Sequence, residues 1–202
     1  MSKYGVEKEK NITIAPAEID LLWEAQTYTP PFYKGKALPT FKSLVKVTAI
    51  PRYGKATSDP RTFTYVWKYN RTLTVGQGLG RNSALVKMGY ADTPLPVSVD
   101  VSLGNWSGQR SDTINGTEAV VRFYEQAPLL GTNFNKQLSK KVTGEGNQFT
   151  LKAVPYFFST EDFDNGSMIY TWRVNNKSAV PGLDPTVMTV SKIGTDDEQR
   201  GA

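Results

Sequence analysis

The stretch "YVWKYN" at residues 65–70 returns as "YTWRVN" at residues 170–175, 105 positions later. In the longer stretch 62–70, "TFTYVWKYN", aromatic side chains occupy every second position. This alternation is typical of a strand that buries one face. We therefore predict that both phrases are the same core strand in two copies, with four core residues: Tyr65, Trp67, Tyr170 and Trp172.

Three further pairs of phrases support a tandem duplication. They occur in the same order along both halves of the chain, 100 to 104 positions apart. The pairs are "LWEAQ" at 22–26 with "FYEQA" at 123–127, "KAL" at 36–38 with "KQL" at 136–138, and "AIPRY" at 49–53 with "AVPYF" at 153–157. A repeated unit of about 100 residues has the size of an immunoglobulin-like sandwich.

Short alternating segments dominate the rest of the chain. In "SLVKVTAIP" at 43–51 and "PVSVDVSL" at 96–103, apolar residues fall at alternate positions. Such segments, separated by Gly, Pro, Asn and Asp, predict an all-β fold of antiparallel sandwiches. The stretch "AEIDLLWEAQ" at 17–26 fits either a helix or an extended segment, and "GQGLG" at 76–80 predicts a β-turn.

The duplication also predicts the domain boundaries. We expect a first sandwich at 1–108 with an N-terminal strand at 11–16, a linker at 109–116 and a second sandwich at 117–202. The alternating strand at 97–102 has no counterpart 105 positions later, since the sequence ends at 202. The second sandwich is therefore expected to lack its last strands and to present an open edge. The chain would then be a fragment of a longer array, or another segment would supply the strand.

Composition excludes several kinds of site. The chain contains no His and no Cys, which removes Ser-His-Asp hydrolases, Cys-His proteases and thiolate or imidazole metal sites. Its net charge of +5 comes from scattered Lys and Arg residues, so we expect no nucleic-acid partner. No apolar run approaches the roughly 18 residues of a membrane-spanning helix, and no cofactor or catalytic residue is expected.

The Trp phrases and the strands before them resemble known domains. "VKVTAIP" at 45–51 and "FTLKAVP" at 149–155, each followed by an aromatic-x-Trp strand, resemble PKD-like and Ig-like domains. The longer phrases "LLWEAQTYTPPFYKGKALP" at 21–39 and "KAVPYFFST" at 152–160 resemble Ig/PKD-like repeats of surface-associated proteins from candidate-phylum bacteria. "KYNRTL" at 68–73 and "RVNNKS" at 173–178 depart from the Gly-Asp-Gly turn that usually follows the PKD Trp strand. The resemblance implies a non-enzymatic spacer or adhesive module at the cell surface or outside the cell. It also implies other protein modules or surface glycans as partners.

Two segments carry candidate binding residues. The segment "YTPPFYKGKALP" at 28–39 combines aromatic and basic side chains that suit an acidic or sugar partner: Tyr28, Phe32, Tyr33, Lys34 and Lys36. The interpretation we favour is a loop that caps one end of a sandwich. Trp106, in the polar stretch "LGNWSGQRSDTINGT" at 103–117, is expected either to pin the two domains together or to contact a ligand.

The stretch "TEDFDNGS" at 160–167 offers oxygen ligands for calcium from Glu161, Asp162, Asp164 and Asn165. An ordinary polar loop is the interpretation we favour, so no metal site is assigned. For function, the main expectation is the structural and adhesive module. The alternatives are a carbohydrate-binding module and a self-assembling subunit whose open edge accepts a strand, with "NITIAP" at 11–16 as the donor.

Overall fold

A computed structural model describes residues 18–53, 56–57, 59–90, 93–138, 148–166 and 168–191. Over these residues the chain forms mainly β-strands in several antiparallel sheets, which confirms the predicted all-β sandwich class. The predicted strand at 11–16 lies outside the described residues, as does the segment 192–202.

The first repeat forms two four-stranded sheets. One has the order β1-β2-β3, with β6 also paired to β2, and the other has the order β5-β4-β7-β8. A single 3-10 turn at Pro60–Thr62 precedes β4. The strands are β1 (Glu18–Gln26), β2 (Leu44–Tyr53), β3 (Ala56–Thr57), β4 (Thr64–Tyr69), β5 (Leu73–Leu79), β6 (Ser83–Lys87), β7 (Leu95–Leu103) and β8 (Trp106–Ile114).

The second repeat forms a four-stranded sheet, β10-β9-β11-β14, and the two-stranded sheet β12-β13. Its elements are β9 (Val120–Ala127), β10 (Gly131–Gln137), β11 (Gln148–Tyr156), the short helix α1 (Thr160–Asp164), β12 (Trp172–Val174), β13 (Lys177–Ala179) and β14 (Val187–Ser191). The hairpin β12-β13 corresponds to β4-β5. Among the described residues, no strand pairs with β12 on the side where β7 pairs with β4.

The duplication extends to the backbone of the two hairpin turns. Asn70 and Arg71 have φ angles of 49° and 63°, and Asn175 and Asn176 have 50° and 63°. A type I′ turn requires positive φ at both central residues, and Asn adopts that conformation more readily than most residues. Both turns therefore keep positive φ at the same two positions, 105 residues apart, although neither position is a glycine.

The pairing of β4 with β7 closes the core around Trp67. Tyr65 lies opposite Val101 and Trp67 lies opposite Val99, and all four side chains are fully buried or nearly so. The Trp67 indole Nε1 donates a hydrogen bond of 2.8 Å to the carbonyl oxygen of Arg81. This hydrogen bond matters because a buried N–H group without a partner would lower the free energy of unfolding.

The described residues form two compact units that are interleaved along the chain. One unit holds the described parts of 1–22, 47–84 and 96–112, and the other holds those of 23–46, 85–95 and 113–202. Segment 23–46 of the first repeat thus belongs to the second unit. The independent folding of 1–108 and 117–202 stays a prediction.

Two local expectations differ from the structure. Residues 76–79 of the glycine-rich stretch lie inside β5, so the predicted turn there is wrong: Gly76 lies opposite Trp67 and Gly78 opposite Tyr65. At Gly78 the φ angle is 144°, a conformation that residues with a side chain rarely adopt, so glycine suits this position. The region expected to be a linker is largely strand β8, which begins after a tight turn at Gly104, where φ is 57°.

The matched Trp residues have unequal burial, which leads to a prediction. Trp67 has no exposed surface, whereas Trp172 and Tyr170 are half-buried because no described strand covers β12. Trp67→Ala should therefore lower the free energy of unfolding by about 3–5 kcal/mol, the usual cost of replacing a fully buried Trp by Ala. Trp172→Ala, the matched control, should cost about 1–2 kcal/mol. Urea denaturation of both variants tests this difference, and equal losses would contradict it.

Candidate functional site

The central strands of the second unit, β9 and β11, present two different faces. Because side chains alternate along a strand, Tyr124 and Tyr156 project from one face while Phe123 and Leu151 project from the other. We call residues 28–39 the aromatic loop. It packs on the tyrosine face. The opposite face lines an open cleft.

Ring contacts hold the aromatic loop against the tyrosine face. Phe32 stacks on Phe134 with a centroid distance of 4.0 Å and meets Tyr124 edge-on at 5.9 Å. Tyr33 meets Tyr156 edge-on at 5.7 Å. Stacked and edge-on aromatic pairs contribute roughly 0.5–1.5 kcal/mol each beyond the area they bury. The predicted binding residues Phe32 and Tyr33 are therefore half-buried parts of a packed cluster.

Hydrogen bonds fasten the two ends of the same segment. The Tyr28 amide donates to the Phe158 carbonyl and the Phe157 amide donates to the Tyr28 carbonyl, both at 2.7 Å. The Thr40 hydroxyl donates to the Phe157 carbonyl at 2.6 Å. The Tyr28 ring stacks on Phe163 of α1 at 3.9 Å. A loop fixed at both ends has little freedom to rearrange around a ligand.

A pair of tyrosine hydroxyls lies beneath the loop. The hydroxyl oxygens of Tyr124 and Tyr156 are 2.6 Å apart and buried, and the guanidinium of Arg122 lies 5.1 Å from the Tyr156 ring centroid. Burial, reinforced by the hydrogen bond to Tyr124, raises the pKa of Tyr156 well above its usual value. Tyr156 is therefore neutral at physiological pH, which suits a structural bond rather than acid–base chemistry.

The remaining predicted contact residues are dispersed. The Lys36 ammonium lies 3.0 Å from the centroid of the Trp23 ring, and Lys34 is exposed. Trp106 begins β8, is half-buried and meets Phe63 edge-on at 5.7 Å. Together with the ring contacts of Phe32 and Tyr33, these contacts give the aromatic loop a structural role, as a cover on a sheet face and not as a cap at the end of a sandwich. Ligand binding by its residues stays a prediction.

The acidic stretch folds as α1 and does not gather its carboxylates. Glu161, Asp162 and Asp164 lie on a single short helical stretch with Asn165 directly after it, and all four are exposed. Successive helical side chains point about 100° apart, so these oxygens diverge. Among the described residues, no group of three or more acidic side chains is placed to hold a metal ion.

The open cleft lies on the opposite face of β9 and β11, beside Trp172. It has a volume of about 600 Å³, and its apolar lining includes Val121, Phe123, Leu151, Trp172, Met188 and Val190. A second hollow of about 490 Å³ continues past Trp172 and reaches Ile169. Trp172 lines both hollows and is half-buried. The repeat spacing predicts an open edge in the second repeat. Of the lining residues, the sequence singles out Trp172, but as a core residue.

The rim of the cleft is held by polar contacts. The Trp172 indole donates a 2.9 Å hydrogen bond to the Pro185 carbonyl, much as Trp67 does to Arg81. The Asp184 carboxylate accepts from the Thr186 amide at 2.8 Å and from its hydroxyl at 2.6 Å. Hydrogen bonds from Thr186 lower the pKa of Asp184 below its ordinary value. The loop that anchors Trp172 is thus ordered by its own side chains.

Comparison with known proteins identifies no relative: no protein-family model, no curated protein and no solved structure matches this chain. Within the described residues, no helix has the length and apolar character needed to cross a membrane.

The packing of the aromatic loop leads to a prediction with an internal control. Phe32→Ala removes a ring that contacts Phe134, Tyr124 and Tyr156, and should cost about 1–3 kcal/mol because Phe32 is only half-buried. Lys34→Ala, two residues away and exposed, should change stability by less than about 0.5 kcal/mol. Thermal and urea unfolding of both variants measures the effect. A neutral Phe32→Ala would show that the loop is not a structural cover.

Proposed function

We propose that this protein is a non-enzymatic structural and adhesive module of a cell-surface or secreted protein. It would serve as a spacer or interaction repeat, as its resemblance to Ig-like and PKD-like repeats implies. The observation that carries the proposal is the packing of the aromatic loop against the second unit's sheet. A segment of the first repeat is built into the second unit by ring stacking and backbone hydrogen bonds. Such packing supports a stiff module whose rings serve the scaffold.

The charged groups give no support for catalysis. The described ion pairs, such as Arg52 with Asp20 and Lys152 with Asp184, lie on the surface and not around a common pocket. Among the described residues that line the open cleft, Arg173 alone carries a charge, and no carboxylate accompanies it. General acid–base catalysis needs a positioned proton donor or acceptor at the reacting group. An apolar cleft without one favours the binding of a protein surface.

A carbohydrate-binding module is the alternative from another functional class. Such a module would display aromatic rings to solvent for stacking on sugars. Tyr28 and Phe32 instead stack on Phe163 and Phe134, which weighs against this alternative. The alternative predicts glycan binding on an array that Tyr33→Ala or Trp106→Ala abolishes.

Localisation in the cells that express the protein tests the main proposal. An antibody against residues 18–191 should detect it in the culture medium or on intact cells, where added protease digests it. A cytoplasmic protein used in parallel should stay protected until lysis. Recovery of this protein solely in the protease-protected, soluble intracellular fraction would contradict the proposal.

A further inference from the structure

The first repeat contains its own template for what covers the Trp strand. β7 pairs antiparallel with β4, so that Val101, Val99 and Val97 lie opposite Tyr65, Trp67 and Tyr69 in turn. The three valines are buried. By the 105-residue correspondence, the equivalent positions in the second repeat are Tyr170, which precedes β12, and Trp172 and Val174 within β12.

The second repeat has the receiving surface without that strand. Among the described residues, β12 pairs with β13 alone, and its other edge has no partner strand. The cleft of about 600 Å³ lies beside Trp172 and is lined mainly by apolar side chains. An exposed strand edge offers backbone hydrogen bonds to an added strand, and adjacent apolar pockets select its side chains.

Charge complementarity specifies the added strand further. In the first repeat the Lys68 ammonium lies 2.6 Å from the Asp100 carboxylate of β7, across the strand pair. The residue 105 positions after Lys68 is Arg173, which is exposed and forms no ion pair with other described residues. An acidic residue in the position of Asp100 would complete the same pair, and Arg binds carboxylates readily in this setting.

We propose that the open cleft binds an extended strand of a partner protein module by β-augmentation at β12. The strand carries alternating β-branched apolar residues with an acidic residue that reaches Arg173 diagonally, as Asp100 of β7 reaches Lys68. This inference rests on the proposed interaction role and names the partner for it. A second copy of this chain fits less well as the partner. Its β7 is already buried in its own first unit. Its other candidate strand, "NITIAP" at 11–16, has Thr13 between its two Ile residues, where β7 has Asp100 between two Val residues.

A peptide with the sequence of residues 94–104, "PLPVSVDVSLG", is the direct probe. Titrated into the full chain, it should bind saturably and shift the indole N–H resonance of Trp172, assigned with a Trp172→Phe variant. A scrambled peptide should not bind. Val99→Asp in the peptide removes the side chain facing Trp172 and should weaken binding by about tenfold or more, since placing a charge in an apolar cleft is unfavourable.

A charge swap tests the register. Asp100→Lys in the peptide should weaken binding about two- to fivefold, and Arg173→Glu in the protein should restore it. No saturable binding, equal binding of the scrambled peptide, or a shift at the Trp67 indole in place of Trp172 would overturn the proposal. So would a concentration-dependent dimer that Ile14→Asp abolishes, because a second copy would then be the occupant. If the protein is at the cell surface but does not bind the peptide, this inference alone is overturned. If the protein binds the peptide but is found in the cytoplasm, the proposed function alone is overturned.

Discussion

The pairing of β4 with β7 is the interaction on which the first sandwich depends. It brings three valines against the alternating aromatic residues of β4 and removes Tyr65 and Trp67 from solvent. Aromatic side chains of this size dominate the energetics of a core when they are buried. Exposed aromatic side chains are a liability, because a strand that lacks its neighbour presents both an apolar face and unpaired backbone groups to solvent.

The second repeat shows the same phrase in a different environment. The hairpin turn and the indole hydrogen bond are kept, but Trp172 is half-buried next to an open cleft. Local geometry is therefore set by the repeated sequence itself, whereas burial of the Trp depends on a neighbouring strand, which among the described residues β4 has and β12 lacks on that edge. Because the second Trp strand keeps its local geometry without a described strand beside it, we propose the cleft next to it as a binding surface.

The two repeats also diverge between their first and second anchors. In the second repeat this region forms β10, which pairs with β9. In the first it contains Pro30 and Pro31, which lack an amide hydrogen and do not suit a central strand. The chain leaves the sheet there, and Phe32 and Tyr33 cover the face of β9 and β11 that carries Tyr124 and Tyr156. The two prolines, which the second repeat lacks here, thus occur in the segment of the first repeat that packs in the second unit.

Period-two patterns in the sequence predicted the buried face of β2, β4 and β7, because alternation is a local property of a strand. Repeat spacing predicted the open edge beside β12. Neither signal could predict where the aromatic loop packs, since that depends on contacts with residues about 100 positions away. The glycines of β5 and the polar strand β8 were misjudged for a related reason: pairing with β4 and β7 outweighs their weak strand propensity.

Amide hydrogen–deuterium exchange of the two Trp strands tests the central claim most directly. The account predicts strong protection across 64–69, where β4 is paired on both edges, and much faster exchange across 172–174, where β12 has a described partner on one edge. Equal, strong protection of both segments in the isolated monomer would contradict it, because the second Trp strand would then already be covered.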